Sequence, residues 1–125
     1  MAQIRYVGRH ATKVFKSGKW TVIQYHQTPV VTFNDEIVIL NNGDWITSTT
    51  RNRMNQASNQ FGLSYQVHIK DYWWMWVETF DGKFKKKFVN YAIILANGEI
   101  ISDMDGEFED WKEIVKNIPI MEVIE

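Results

Sequence analysis

The chain has 125 residues, 45% of them hydrophobic, and a formal net charge of −1. A chain of this size and hydrophobicity buries a core of its own, so we expect a single folded domain over residues 1–125. The absence of cysteine excludes disulfides, thiolate metal sites and cysteine nucleophiles. Its apolar runs fall far short of the roughly 20 residues of a membrane span, and the start at Met1 lacks a signal-peptide pattern. We therefore expect a cytoplasmic protein with no membrane partner.

Charge is distributed unevenly along the chain. Residues 1–70 carry eight Lys and Arg against three Asp and Glu, or +5, whereas residues 71–125 carry six against twelve, or −6. A basic half favours an anionic partner, and an acidic tail favours a solvated face or a basic partner. Uneven scatter in a short chain explains the same counts, so both explanations stay open.

Strand patterns dominate the first part of the chain. Residues 20–25 alternate between apolar and polar side chains, as a half-buried strand does. Residues 30–33 and 37–40 are β-branched runs on either side of a turn at 34–36. The Asn- and Gly-containing segment 41–44 then predicts a second turn.

A helix is predicted from about residue 50 to residue 61. Met54, Ala57 and Phe61 recur at the spacing i, i+3, i+7, which places them on one face of a helix. Gly62 stands where a helix-terminating glycine belongs.

The second half returns to hairpins and ends in a helix. The predicted elements are strands at 65–69, 72–80, 84–89, 91–95 and 99–101 and a helix at 107–117. Asp81-Gly82 and Asn97-Gly98 are hairpin turn signals, and Pro119 follows the end of the helix. The whole pattern predicts an α+β domain, in which an antiparallel sheet of hairpins has two helices, about 50–61 and 107–117, packed on one side.

The start of the first helix has unusual chemistry. A Ser- and Thr-rich run at 47–50 leads directly into Arg51 and Arg53, and no acidic residue stands between Asp44 and Asp71. The first N–H groups of a helix lack intrahelical acceptors and carry partial positive charge, so each arginine opposes the dipole by a few tenths to about 1 kcal/mol. Free N–H groups, hydroxyls and guanidinium groups together make a cradle for a phosphate or a carboxylate.

We therefore predict a ligand-binding site around this helix start. Its members are Thr47, Thr49, Thr50, Arg51, Arg53, Asn55, Trp45 and His26. Trp45 or His26 would form a wall. Asn55 belongs to a row of helix amides that could read base edges or form a polar solvated face, namely Asn52, Asn55, Gln56, Asn59 and Gln60. In the alternative interpretation, Thr49 or Thr50 is an ordinary N-cap worth about 1 kcal/mol and the arginines point to acids or solvent.

The aromatic run at 72–76 predicts two sheet faces. Alternation places Trp74 and Trp76 on one face and Trp73 and Met75 on the other. One set belongs to the core, and the other could stack a base or be covered by the C-terminal helix or a second subunit. Six Trp in so short a chain predict an exposed apolar patch and hence a two-fold homodimer.

Signals for catalysis or metal binding are weak. The three histidines do not cluster with carboxylates at metal-ligand spacing. A calcium loop around Gly106 fails because its first and twelfth positions would be Ile101 and Lys112. A glycine-rich phosphate loop and a nucleophile elbow are also missing. We expect no cofactor, no metal and no catalytic residue, although His26 near hydroxyls and arginines keeps an enzyme as a third class.

One string of residues is similar to a known group of proteins. Trp45-x-Thr47-x-Thr49-Thr50-x-x-Arg53-Met54-Asn55-Gln56, with Tyr25-His26-x-Thr28 before it, resembles a family of short bacteriophage proteins. The resemblance covers residues 11–80 and leaves 81–125, a hairpin plus an acidic C-terminal helix, as an addition. It implies a phage origin and the host cytoplasm, and it supports the helix start as the distinctive site, but it implies no reaction.

The leading hypothesis is a small non-enzymatic phage protein. It would bind a phosphate-bearing ligand, a nucleic acid or a nucleotide, at the Thr- and Arg-rich helix start. The alternative is a protein–protein interaction module that inhibits or redirects a host factor through the acidic tail and exposed aromatic side chains.

Overall fold

The computed structural model of the protein describes residues 11–71 and 73–121, except for the side chains of residues 70 and 71. The strands are β1 (Thr12–Ser17), β2 (Trp20–Tyr25), β3 (Thr28–Phe33), β4 (Ile37–Asn41), β5 (Tyr65–Asp71), β6 (Trp74–Thr79), β7 (Lys85–Phe88), β8 (Tyr91–Leu95) and β9 (Ile100–Ser102). The helices are α1 (Ser48–Phe61), a 3-10 helix (Gly106–Trp111) and α2 (Lys112–Lys116).

The strands form two antiparallel sheets. The larger sheet has the order β1-β2-β3-β4-β8-β9, and the smaller has the order β5-β6-β7. The predicted α+β class is confirmed. A single sheet was expected, but α1 interrupts the hairpins after β4, and the three strands that follow it pair with one another instead of extending the first sheet.

An inner core lies between the two sheets and α1. Side chains alternate along β4, so Val38 and Leu40 face this core while Ile39 faces away from it. The neighbouring β8 does the same with Ile94 and Ile93. These central strands are therefore apolar on both faces, and the larger sheet needs cover on both sides.

A second core lies on the outer face of the larger sheet. Phe108 and Val115, from the 3-10 helix and α2, belong to one buried cluster with Ile39, Ile93 and Ile101. The C-terminal helices and α1 thus lie on opposite faces of this sheet, and the expectation that both helices pack on one side is wrong. The reason is that Ile93 and Ile101 are apolar and point to the outer face, where the C-terminal helices bury them.

The first helix begins earlier than predicted. Thr47 is the N-cap in extended geometry, and its Oγ1 accepts a hydrogen bond of 3.2 Å from the backbone N–H of Thr50. The expectation that Thr49 or Thr50 is the cap is therefore wrong by at least two residues. At the other end Gly62 adopts the left-handed conformation, at φ 67°, as its position predicts.

Two further differences concern the ends of the chain. The predicted helix at 107–117 is present, but its first half is a 3-10 helix. Strand β1 was not predicted, because Lys13 and Lys16 obscure its alternation. Lysines of this kind are typical of an edge strand, where they hinder pairing with other chains.

Candidate functional site

A cavity of about 280 Å³ opens at the N-terminus of α1. It lies where the β2–β3 hairpin, the turn after β4 and the first turn of α1 come together. Its lining residues are Tyr25, His26, Thr28, Val30, Asn42, Trp45, Thr47, Thr49 and Thr50. Five of the eight predicted site residues are in this set, so the fold brings together most of what the sequence singled out.

The helix start presents hydroxyl groups and backbone donors to the cavity. Thr47 Oγ1 accepts the hydrogen bond from the N–H of Thr50, and the same hydroxyl donates to Thr50 Oγ1 at 3.1 Å. Helix geometry leaves the N–H groups of Ser48 and Thr49 without intrahelical acceptors. The first turn holds no acidic residue, so the positive end of the dipole is not neutralised locally.

The turn after β4 places Trp45 beside these donors. The side chains of Asn41 and Asn42 accept hydrogen bonds from the backbone N–H groups of Gly43 and Asp44, at 2.8 and 2.9 Å. The carbonyl of Asn42 then accepts the N–H of Trp45 at 2.9 Å. This tight turn leaves Trp45 at the cavity with 65% of its surface exposed.

Gly43 allows the turn to pass closely over the β2–β3 hairpin. Its φ is 60°, and a Cβ at this position would lie 2.5 Å from Thr28 Oγ1. Any other residue would therefore be strained and would push Thr28 into the cavity that it lines.

His26 stands in the two-residue hairpin loop between Tyr25 and Thr28. Its φ is 54°, in the left-handed region that few residues other than glycine adopt, with asparagine, aspartate and histidine the most frequent among them. The ring lies 4.4 Å from that of Tyr25 between centroids, tilted by 56°. Together the two rings form an aromatic wall of the cavity, and the strained backbone holds the imidazole there.

Arg53 has a structural role that the sequence did not reveal. It is only 9% exposed, its Nε donates to Thr12 Oγ1 at 2.9 Å and its Nη1 donates to Gln56 Oε1 at 3.2 Å. Its guanidinium carbon lies 5.5 Å from the centroid of the Tyr25 ring. Arg53 is not in the cavity lining, and it acts from behind the aromatic wall by fixing Tyr25.

Arg51 is more accessible. Its Nε and Nη2 contact only the neighbouring Asn52 Oδ1 among the described residues, at the long distances of 3.4 and 3.3 Å. Hydrogen bonds of this length are weak, so the side chain is easily redirected. Arg51 follows the cavity-lining Thr49 and Thr50 on the first turn, although it does not line the cavity itself.

Asn55 lies outside the cavity. The side chain is 2% exposed, and its amide exchanges two hydrogen bonds with the backbone of Val67, at 3.0 and 2.7 Å. The predicted row of outward-facing amides is therefore wrong for Asn55 and for the buried Gln56.

The cavity also contains residues that the sequence analysis missed. Tyr25 and Thr28 belong to it because they pair across the β2–β3 hairpin, and Asn42 belongs to it through the turn. The positions of Tyr25 and Thr28 on either side of His26 were the available signal, since a two-residue loop brings such flanking residues together.

An acidic residue, Asp44, stands next to Trp45 and contacts Asn90. Asp44 Oδ1 accepts a hydrogen bond from Asn90 Nδ2 at 3.3 Å. Burial, and then the charges of Asp44 and Asp103, raise the pKa of Tyr91. Asp44 is therefore bonded to the connection between β7 and β8, and its negative charge acts on Tyr91 at the start of β8.

A family model for the Kyanoviridae Gp96 protein, a phage protein family, matches residues 2–102 of the chain. The chain belongs to this family. The resemblance to a bacteriophage protein family is thus confirmed, although the match does not test the quoted motif string. Comparisons with curated proteins and with solved structures found no significant match.

The Gp96 family match includes every residue that lines the cavity. It also extends past residue 80, the expected end of the family-like core, and takes in β7, β8 and β9. This agrees with the fold, in which β8 pairs with β4 inside the larger sheet. The 3-10 helix and α2 lie beyond the match.

The aromatic run divides between the faces of β6 much as predicted. Met75 is fully buried in the inner core, and Trp74 and Trp76 lie on the outer face of the smaller sheet. Trp73 precedes the strand and is 72% exposed, so it does not share the face of Met75 as expected. Tyr72 lies outside the described residues.

The described residues hold neither a metal-binding cluster nor a membrane-spanning helix. There the His, Asp and Glu side chains form no group of three or more that could hold a metal ion. The helices of that part are too short or too polar to cross a membrane.

Proposed function

We propose that this small phage protein binds a phosphate-bearing ligand, a nucleotide unit, in the cavity at the start of α1. The cavity itself carries the proposal, because it joins a helix N-terminus to an aromatic wall. Its volume of about 280 Å³ lies near the lower end of the range for small-molecule sites. That size suits one nucleotide, either free or at the end of a strand, encountered in the host cytoplasm.

The phosphate would lie at the helix start. The N–H groups of Ser48 and Thr49 supply donors there, and the hydroxyl of Thr49 supplies another at the cavity surface. Arg51 exchanges its long contacts to Asn52 for a charge-assisted bond to the phosphate. Arg53 and Asn55 are left out of this contact set because their polar atoms bond within the fold.

The base would lie against the aromatic side chains. Trp45 offers a largely exposed ring at the cavity, and His26 offers a second ring from the hairpin loop. Stacking contributes about 1–3 kcal/mol per base, and a hydrogen bond to a charged group contributes about 1.5–3 kcal/mol. With a dipole contribution of at most about 2 kcal/mol, the expected Kd lies between about 1 mM and 1 µM.

Thermal melts with a graded set of small probes test this proposal. The set comprises inorganic phosphate, a nucleoside, the matching nucleoside 5′-monophosphate, and a dinucleotide with and without a 5′-phosphate. If both halves of the cavity bind, the monophosphate raises Tm more than phosphate or nucleoside alone at the same millimolar concentration. The two dinucleotides then distinguish a free nucleotide from a strand end.

Two variants locate the binding. Trp45→Ala removes the exposed ring, and Thr49→Val removes one hydroxyl but keeps the shape and the backbone N–H. We expect about tenfold or greater weakening for the first and about fivefold for the second. Phe80→Ala, an exposed aromatic side chain at the β6–β7 turn, is the matched control and leaves the affinity unchanged.

Failure of all the probes to raise Tm at millimolar concentration overturns the proposal. The favoured function would then be the alternative one, a protein–protein interaction module that acts on a host factor. Its best support is the C-terminal segment, where Glu107, Glu109, Asp110 and Glu113 are all exposed. Pull-down with the chain lacking these four charges would test that alternative.

A further inference from the structure

The outer face of the smaller sheet has a composition unlike the rest of the surface. Along β6, Met75 and Val77 point into the inner core, so Trp74 and Trp76 point outward. The adjacent β7 sends Lys85 and Lys87 to the same side. We call these four outward residues, two tryptophans and two lysines, the Trp–Lys face.

The lysines lie directly on the tryptophan rings. Lys87 Nζ is 4.4 Å from the ring centroid of Trp74 and 5.8 Å from that of Trp76, and Lys85 Nζ is 5.1 Å from that of Trp76. These distances are within the range of cation–π attraction. The face therefore places two positive charges over partly exposed aromatic rings.

Lys85 and Lys87 differ from the lysine between them in their ionic contacts. Between them in sequence, Lys86 points to the other side and forms a 2.7 Å ion pair with Asp105. Within the described ranges, neither Lys85 nor Lys87 forms an ion pair. Glu78 stands opposite Lys85 in the strand pairing, but its Oε1 is bonded to His68 Nε2 at 2.7 Å. As far as the described side chains go, the charge of the two lysines is thus available to a partner.

We propose that the Trp–Lys face binds single-stranded nucleic acid. Trp74 and Trp76 are two residues apart on one strand, or about 7 Å, so they can accept successive bases of an extended strand. Lysines on the next strand then meet the phosphates, as in other platforms that bind strands without sequence readout. Stacking displaces Lys87 from the Trp74 ring and frees its ammonium group for the backbone.

A second copy of the chain is a poorer occupant of this face. A two-fold interface brings the same patch to itself, so Lys85 and Lys87 would meet their own equivalents. Like charges in contact oppose such an interface, whereas a polyanion neutralises them. This surface is separate from the cavity at α1, so the inference does not rest on the proposed function.

Fluorescence anisotropy with a labelled 12-mer of deoxythymidine tests the inference, at several salt concentrations. Trp76→Ala is expected to weaken binding about fivefold or more, the effect of losing one stacked base. Lys85→Gln with Lys87→Gln is expected to reduce the slope of log K against log salt by about 0.7 for each phosphate that is no longer neutralised. Melting curves of each variant check that the sheet remains folded.

Lys16→Gln with Lys19→Gln is the matched control. It removes the same charge from the exposed β1–β2 hairpin and should leave the salt slope unchanged. Binding of the 12-mer's end in the cavity is told apart by its sensitivity: a loss of affinity in Trp45→Ala with no effect of the Lys85 and Lys87 substitutions would assign the binding to the cavity and overturn this inference. The inference is overturned if the 12-mer does not bind at low salt, or if the two double-lysine variants behave alike. If Trp76→Ala is unfolded, the inference is judged on the salt slope of the Lys85→Gln, Lys87→Gln variant alone.

Discussion

The side-chain amide of Asn55 makes with Val67 the two hydrogen bonds that the backbone of a neighbouring strand would make. Its Nδ2 donates to the carbonyl of Val67 at 3.0 Å, and its Oδ1 accepts the N–H of Val67 at 2.7 Å. Strand β5 is an edge of the smaller sheet, and this helix side chain satisfies both backbone groups there. It joins α1 to the sheet and explains why an amide stands in a buried position.

Asn55→Ala should therefore destabilise the fold strongly. It would leave two buried backbone groups of Val67 unsatisfied, each at a cost of about 1–3 kcal/mol. We expect a loss of about 2–4 kcal/mol in the free energy of unfolding, measured by urea denaturation. Asn52→Ala on the same helix is the control, since it removes only the long contacts to Arg51. A loss similar to that of the control would show that the Val67 bonds contribute little.

Arg53 is the second stability test. From the sequence alone, removing an arginine that opposes the helix dipole should be harmless or slightly favourable. The structure reverses this expectation. Arg53→Ala removes the hydrogen bonds to Thr12 and Gln56 and the cation–π contact with the Tyr25 ring. We expect Tm to fall by several degrees, equivalent to about 2 kcal/mol.

Arg53→Lys separates the charge from the shape of the group. A lysine keeps the charge but has no planar fork that reaches two acceptors, so it should restore only part of the stability. If the alanine variant melts like the wild type, the packing role is wrong. If Arg53→Ala weakens ligand binding without lowering stability, Arg53 contacts the ligand and not only the fold.

Local patterns predicted the elements far better than they predicted their assembly. The turn at 34–36, the helix end at Gly62 and the strand at 20–25 depend on neighbouring residues, and all of them are confirmed. The half-buried alternation expected for that strand is wrong, because Val22, Ile23 and Gln24 are all buried between neighbouring elements. Nothing local indicates that β5 starts a second sheet or that β8 returns to pair with β4. Those pairings depend on which apolar faces find cover in three dimensions.

The same limit applies to the site. Thr47, Thr49 and Thr50 were found because one helix turn places them together, and the β2–β3 hairpin brings His26 to them only through tertiary packing. The interior position of Arg53 had no local signal, since its partner Thr12 is 41 residues away. Charge at a helix start predicts a ligand only if the side chain remains outside.

His26 provides a test of strain held at a proposed site. A non-glycine residue at φ 54° costs about 1 kcal/mol or more, and glycine removes that cost but adds about 0.5–1 kcal/mol of backbone entropy. We expect His26→Gly to change stability by less than about 1 kcal/mol while weakening nucleotide binding severalfold. Calorimetry measures the first and titration the second. A large destabilisation would show that the ring contact with Tyr25 is structural.

The dimer stays a prediction. The described surface exposes several large aromatic side chains, among them Trp45 and Trp73, and a self-association surface would cover some of these. The Trp–Lys face is a poor candidate for that contact because of its charge. Light scattering at tens of micromolar should report about twice the 14.8 kDa of one chain. A mass of one chain across the concentration range contradicts the dimer.

Acid sensitivity should arise in part where the C-terminal segment meets β7. Asp105 Oδ2 accepts hydrogen bonds from Lys86 Nζ at 2.7 Å and from the N–H of Ser102 at 3.0 Å. The bond from Lys86, and then that from Ser102, hold the pKa of Asp105 below its usual value. A carboxylate with a lowered pKa in the folded state stabilises the fold fully above its unfolded pKa, about 3.9, and loses that contribution as the pH falls through the lowered value.

Asp105→Asn should therefore lower stability at neutral pH and make little difference at strongly acidic pH. The two stability curves converge as the pH falls below about 4, because protonation removes the charge from the wild type as well. Tm measured from pH 7 down to pH 2 gives both curves, and Asp110→Asn, an exposed acid on the neighbouring 3-10 helix, is the control. Because Asp105 is partly exposed, the gap at neutral pH should be small and should shrink further in high salt. A gap that stays constant across the whole pH range would mean that Asp105 acts through its shape and not through its charge.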